Sequence, residues 1–143
     1  IIIFCSTKKK VEKLSRTLLQ KGYACQGISS DYEQDAREEA LRDFRSGKTR
    51  IMVATDVMSR GIDIKGIDLV INYDVPGDAE DYVHRIGRTA RAKTEGMAVT
   101  LVCADDRFKF SKIEQLIDRE LEKDQPPSEL GEGPSWRGQS RGK

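Results

Sequence analysis

Apolar runs at residues 1–4, 51–54, 69–71 and 97–102 punctuate the chain, and none alternates clearly with polar residues. That is the pattern of strands covered on both faces of a sheet. Residues 24–28 form a weaker fifth candidate. Between these runs the apolar positions take helical spacing: Val11, Leu14 and Leu18; then Ala36 or Arg37 through Ala40, Leu41 and Phe44; then Phe110, Ile113, Ile117 and Leu121. Strand and helix therefore alternate, which predicts an α/β fold with a mostly parallel sheet and helices on both faces. In open sheets of this kind, functional residues gather in the loops after the carboxyl ends of the strands.

The length of 143 residues suits one such domain, predicted over residues 1–121. After Leu121 the composition shifts to Pro126-Pro127-Ser128 and then to repeated glycine and serine, so residues 122–143 are expected to form a flexible Gly/Pro/Ser/Arg-containing tail. The first residues, Ile1-Ile2-Ile3-Phe4, read as a strand entered directly, as in a piece of something longer. About a third of residues are charged, yet the net charge is only +1, so any nucleic-acid binding must come from local patches. Cys5, Cys25 and Cys103 are odd in number and widely spaced in apolar stretches. They read as small buried thiols of a reduced, cytoplasmic protein, with neither a disulfide framework nor a zinc spacing.

The densest chemistry lies in residues 84–91, His-Arg-Ile-Gly-Arg-Thr-Ala-Arg, which hold three arginines and the single histidine without one carboxylate. On a helix, His84, Arg88 and Arg91 share a face at i, i+4 and i+7. Like charges at these spacings repel, so the cluster calls for phosphate or carboxylate oxygens to meet it, and the guanidinium fork suits them. Two other segments only imitate phosphate sites. Gly47-Lys48-Thr49 looks like the end of a P-loop, but position 42 is arginine and the order is helix then strand. It reads instead as a helix C-cap glycine. Asp78-Ala79-Glu80-Asp81 follows Pro76-Gly77 and reads as a helix start, not as a metal-binding acidic motif.

Residues 84–91 closely resemble the last signature motif of DEAD-box RNA helicases, His-Arg-x-Gly-Arg-x-Gly-Arg, with Ala90 where that family usually has glycine. Residues 55–63, Thr-Asp-Val-Met-Ser-Arg-Gly-Ile-Asp, match the family's Thr-Asp-x-x-x-Arg-Gly-x-Asp. Phe4-Cys5-Ser6-Thr7, Gln34-Asp35-Ala36-Arg37 and Asn72-Tyr73-Asp74-Val75-Pro76 resemble further family elements in the expected order, although Ser29-Ser30-Asp31 departs from the commoner His-Gly-Asp. The resemblance implies a RecA-like three-layer fold, the second such domain of an ATP-dependent RNA helicase, inactive by itself. It implies that Thr7, Gln34, Arg37 and Thr55 lie on RNA and that Arg60, His84 and Arg85 help join the two halves. It further implies that Gly61 and Asp63 face the nucleotide, with Arg88 and Arg91 at the γ-phosphate, while ATP and Mg²⁺ are held mainly by the N-terminal domain. RNA would be bound through its backbone with low sequence specificity, and the isolated domain would be monomeric and away from membranes. Two other readings stay open: a related helicase acting on DNA, and a non-catalytic RNA-binding or docking module of the same fold. From residues alone, Thr7 is equally well a helix cap, and Thr55 or Asp56 the cap of a short helix ended by Gly61.

Overall fold

The computed structural model describes residues 1–29, 33–55, 67–77, 80, 82, 97–118, 121 and 123–131. Five strands, β1 (Ile2–Cys5), β2 (Cys25–Ile28), β3 (Ile51–Thr55), β4 (Leu69–Asn72) and β5 (Met97–Thr100), form one sheet in the order β2-β3-β1-β4-β5. Every pairing is parallel. Helices α1 (Lys8–Gln20) and α2 (Gln34–Arg45) follow β1 and β2, and α3 (Arg107–Ile117) follows β5.

The continuous apolar runs do what their pattern predicts in the middle of the sheet. Ile2 and Phe4 of β1 point to one face, with Met52, Ala54, Ile28 and the α2 residues Ala40, Leu41 and Phe44. Ile3 and Cys5 point to the other, with Val53 and the α1 residues Val11, Leu14 and Leu18. Since successive strand side chains alternate faces, an all-apolar strand needs a helix on each side, and β1 and β3 have both. This is the three-layer arrangement.

Both helices stop at a glycine in the left-handed region. Gly22 (φ 92°) ends α1, with its N–H on the Leu19 carbonyl at 3.0 Å and that of Tyr23 on Leu18 at 3.1 Å. Gly47 (φ 84°) does the same for α2, so the predicted C-cap role is its role.

Two expectations need correcting. The run at 97–102 was expected to be covered on both faces, but β5 ends at Thr100 and is largely exposed, with Met97 63% and Val99 37% accessible. Among the described residues it lies at the end of the strand order, paired with β4, while α1 and α2 pack over the β2-β3-β1 half. Cys103 is exposed too, unlike the buried Cys5 and Cys25, because it sits beyond β5 as the cap of a 3₁₀ turn at Ala104–Asp106.

A third apolar cluster joins Val75 and Tyr82 to Phe110 and Ile113, with Val102, Ile117 and Leu121 at its margin. The helical spacing that runs through Leu121 is interrupted at Asp118, which takes the left-handed conformation (φ 50°) and ends α3. Leu121 nevertheless returns to the cluster, its N–H donating to Glu114 Oε2 at 2.8 Å, and Lys123 Nζ reaches the same oxygen at 2.9 Å. Further on, Ser128–Leu130 makes an exposed 3₁₀ turn inside the segment expected to be a tail. Among the described residues, no helix is long and apolar enough to cross a membrane.

Candidate functional site

The carboxyl ends of the parallel strands bring the expected RNA-facing residues to one edge. Thr7 follows β1, Thr55 closes β3, and Gln34 with Arg37 open α2 just after β2. The register pairs Cys5 with Thr55, and Ile28 with Ala54, so these groups stand on three adjacent strands or their loops. With inter-strand steps of ~4.8 Å, the row from the β2 end to the β1 end covers roughly 10 Å.

Each residue in the row has a local reason for its placement. Thr7 is the N-cap of α1: its backbone is extended and its Oγ1 accepts the Lys10 N–H at 3.2 Å. The capping role and a ligand role are compatible, because accepting that bond leaves the hydroxyl proton available to donate. The first turn of α1 is Lys8-Lys9-Lys10 with no acidic residue, so the end of the helix dipole that already favours anions carries added cations. Arg37 lies one turn inside α2, where its Nη2 donates to Gln34 Oε1 at 2.6 Å. The Gln34 amide in turn donates to Glu38 Oε1 at 3.2 Å. Gln34 thus orients the guanidinium, a task its spacing of three on a helix allows. Thr55 is only 7% exposed, whereas Thr7 and Gln34 are exposed and Arg37 is half-buried. The nucleotide-facing and interdomain candidates Arg60, Gly61, Asp63, His84, Arg85, Arg88 and Arg91 lie outside the described residues, as do Ala90 and Ser30. What the structure does place is Tyr82, helical and buried against α3, two residues before His84.

One group at this edge escaped the sequence reading. Asp74, just past β4, accepts the Ser6 N–H on Oδ2 at 2.7 Å and the Lys10 ammonium on Oδ1 at 2.7 Å. In the sequence, Asn72-Tyr73-Asp74-Val75-Pro76 resembles a family strand end and, taken alone, reads as a strand stopped by proline; neither reading gives Asp74 a role, and its partners are 68 and 64 residues away. No local signal could have linked them. Next to it, Asn72 is fully buried and donates to Thr100 Oγ1 at 3.0 Å, tying β4 to β5.

Burial pushes the Asp74 carboxyl up, but the bonds from Lys10 and from the Ser6 N–H and hydroxyl outweigh it, and the net shift is downward. The Asp74 hydrogen bond raises Lys10. A carboxyl held below its ordinary value contributes stability above that ordinary value and loses it as the pH falls through the lowered one. The Lys10 contribution has the opposite sign: it is present below the ordinary lysine value and fades as the pH rises through the raised one. Wild type should therefore melt at a higher temperature than Asp74→Asn at neutral pH, with the gap closing in acid below the ordinary aspartate range. Thermal melts over a pH series would check this, and a gap that widens in acid would reverse the assignment.

Residues 1–93 match the family described as the helicase conserved C-terminal domain. The ATP-dependent RNA helicase FAL1 of Kluyveromyces lactis is 45% identical over 113 residues, which cover 79% of this chain and 28% of that protein. The DEAD-box ATP-dependent RNA helicase CshA of Bacillus subtilis is 44% identical over 127 residues, covering 89% and 26%. Among solved structures, the C-terminal domain of the DEAD-box protein Dbp5 is 35% identical with a TM-score of 0.77, over 83% of this chain and 71% of that one. Escherichia coli DEAD-box protein SrmB, solved bound to the regulator of ribonuclease activity RraA, is 36% identical with a TM-score of 0.82, over 95% and 78%. The all-parallel sheet with helices on both faces is thus a RecA-like helicase domain. The chain belongs to the helicase conserved C-terminal domain family, and its relatives there are DEAD-box RNA helicases. It spans about a quarter of the length of these curated relatives.

Proposed function

We propose that this chain is the second half of an ATP-dependent RNA helicase, which closes on an N-terminal domain to complete both an ATP site and an RNA-binding surface. The observation that carries the RNA half of this reading is the row of Thr7, Gln34 with Arg37, and Thr55 along one carboxyl edge of the sheet. Thr7 donates its hydroxyl, and Arg37 its oriented guanidinium, to phosphate oxygens. Contacts of this type position a strand without reading its bases. Gly61 and Asp63 face the nucleotide, Asp63 toward the ribose hydroxyls, while Arg88 and Arg91 reach the γ-phosphate. Arg60, His84 and Arg85 sit at the junction of the two halves. ATP, with Mg²⁺, rests mainly on the other domain and supplies the phosphoanhydride that is cleaved. Between the open readings, the relatives' own names, ATP-dependent RNA helicases, favour RNA over DNA. The intact arginines favour an enzyme over a docking module.

Arg37→Ala in the full-length protein should weaken single-stranded RNA binding by about tenfold, the size of one lost charge-assisted contact. The loss should be similar for unrelated RNA sequences, and the salt slope of log K should become shallower by about 0.7. Fluorescence anisotropy titrations at several salt concentrations measure all three. An unchanged slope, or a loss confined to one sequence, would remove Arg37 from the phosphate contacts.

A further inference from the structure

We propose that Asp74 is a positioning residue for the RNA-backbone contact, gripping the residues on either side of Thr7 so that its hydroxyl stands at a fixed place and angle. This rests on the reading of Thr7 given above. The Ser6 N–H lies one residue before Thr7, and the Lys10 ammonium belongs to the first turn after it; each is 2.7 Å from a separate oxygen of the one carboxylate. Thr7 Oγ1 is meanwhile committed as acceptor to the Lys10 N–H. The turn is thereby held from the strand side, from the helix side and from within.

The topology gives this grip its importance. β1 and β4 are adjacent and parallel, with Phe4 opposite Asn72 and the Tyr73 N–H on the Phe4 carbonyl at 2.9 Å. The chain leaves β1 toward β2 at one end of the sheet and leaves β4 toward β5 at the other. Neighbouring strands whose following loops diverge leave a crevice at their carboxyl ends, where ligands of open α/β sheets lodge. Asp74 spans that crevice. The segment it begins, through buried Val75 and Tyr82, is packed on α3 and leads into the arginine cluster at residues 84–91. A carboxylate beside a phosphate-binding edge would by itself repel RNA. Its two oxygens are occupied by the Ser6 N–H and by a lysine that could otherwise meet phosphate, which fits a positioning role better than a charge role.

The two roles predict opposite signs. The test is RNA-stimulated ATP hydrolysis by the full-length protein, titrated with a single-stranded RNA oligonucleotide, for Thr7→Ala, Asp74→Ala, Asp74→Asn and the Thr7→Ala/Asp74→Ala double variant. Asp74→Ala should raise the half-saturating RNA concentration about tenfold and leave kcat at saturating RNA within about twofold, as expected when one oriented contact is loosened. Asp74→Asn keeps an acceptor for the Ser6 N–H and should raise it about threefold. In the Thr7→Ala background Asp74→Ala should add little, since both act through one contact.

Tighter RNA binding with a steeper salt slope would mean that freeing Lys10 dominates, and would overturn the proposal. So would an Asp74→Ala effect that persists in full without Thr7, or a kcat loss equal to the affinity loss. If Thr7→Ala raises the half-saturating RNA concentration and the Asp74 variants do not, this proposal fails alone. If Thr7→Ala has no effect, the reading of Thr7 fails and takes the proposal with it. Should Asp74→Ala not fold, as judged by circular dichroism, Asp74→Asn decides by the same criteria.

Discussion

Replacing Arg88 by alanine in the full-length helicase is expected to lower RNA-stimulated ATP turnover by ~10³-fold or more, the range spanned by arginine fingers in phosphoryl transfer. Three arginines and a histidine in eight residues with no carboxylate among them make a segment whose charge needs an external anion. On the proposed reading, charge developing on the transferred phosphoryl oxygens would supply one, and a group that meets it only in the transition state acts on kcat. RNA binding in the absence of ATP should change little, because Thr7, Arg37 and Thr55 stand at the N-cap of α1, on α2 and on β3, away from this segment in the chain. Arg88→Lys should recover only a small part of the rate, since an ammonium keeps the charge but not the two-pronged fork. Steady-state ATPase assays with and without RNA, beside RNA titrations, separate these effects. Wild-type turnover by Arg88→Ala would remove this arginine from the reaction.

How much of this was legible in the sequence depends on how local each signal was. The central strands were plain because β1 and β3 must be apolar on both faces, and a run of Ile, Val, Met and Phe has few other uses. β5 looked the same in composition, yet its exposure is set by its place in the strand order, which no local pattern encodes. Capping by Thr7 and Gly47 could be read from single residues, since a hydroxyl before a helix and a glycine after one have specific backbone consequences. Gln34 and Arg37 were singled out through resemblance to the family's Gln-x-x-Arg, and the bond between them appears only in the structure. Asp74 was not legible, because its meaning lies in two partners on another strand–helix junction.

The purified 143-residue chain should show no ATP turnover above a buffer blank, with or without RNA, and at least roughly 10³-fold less than the full-length enzyme. The one segment resembling a phosphate cradle is committed elsewhere. A P-loop holds phosphates with backbone N–H groups aimed inward. Here the Gly47 N–H donates to the Phe44 carbonyl at 3.2 Å and the Thr49 N–H to the Asp43 carbonyl at 3.0 Å, so both close the end of α2. The orientation is reversed as well: these groups meet the carboxyl end of a helix, whose dipole repels anions, instead of the amino end that attracts them. The acidic stretch at 78–81 offers no better substitute, because Glu80 is helical and exposed, following Pro76 and Gly77. Among the described residues no helix amino end with inward-facing N–H groups takes the P-loop's place, and on the reading proposed above the phosphates rest mainly on the other domain. Mixing in a separately purified N-terminal domain should restore measurable turnover that Arg88→Ala in this chain abolishes. Turnover by this chain alone that survives Arg88→Ala would show that a complete ATP site exists within these 143 residues.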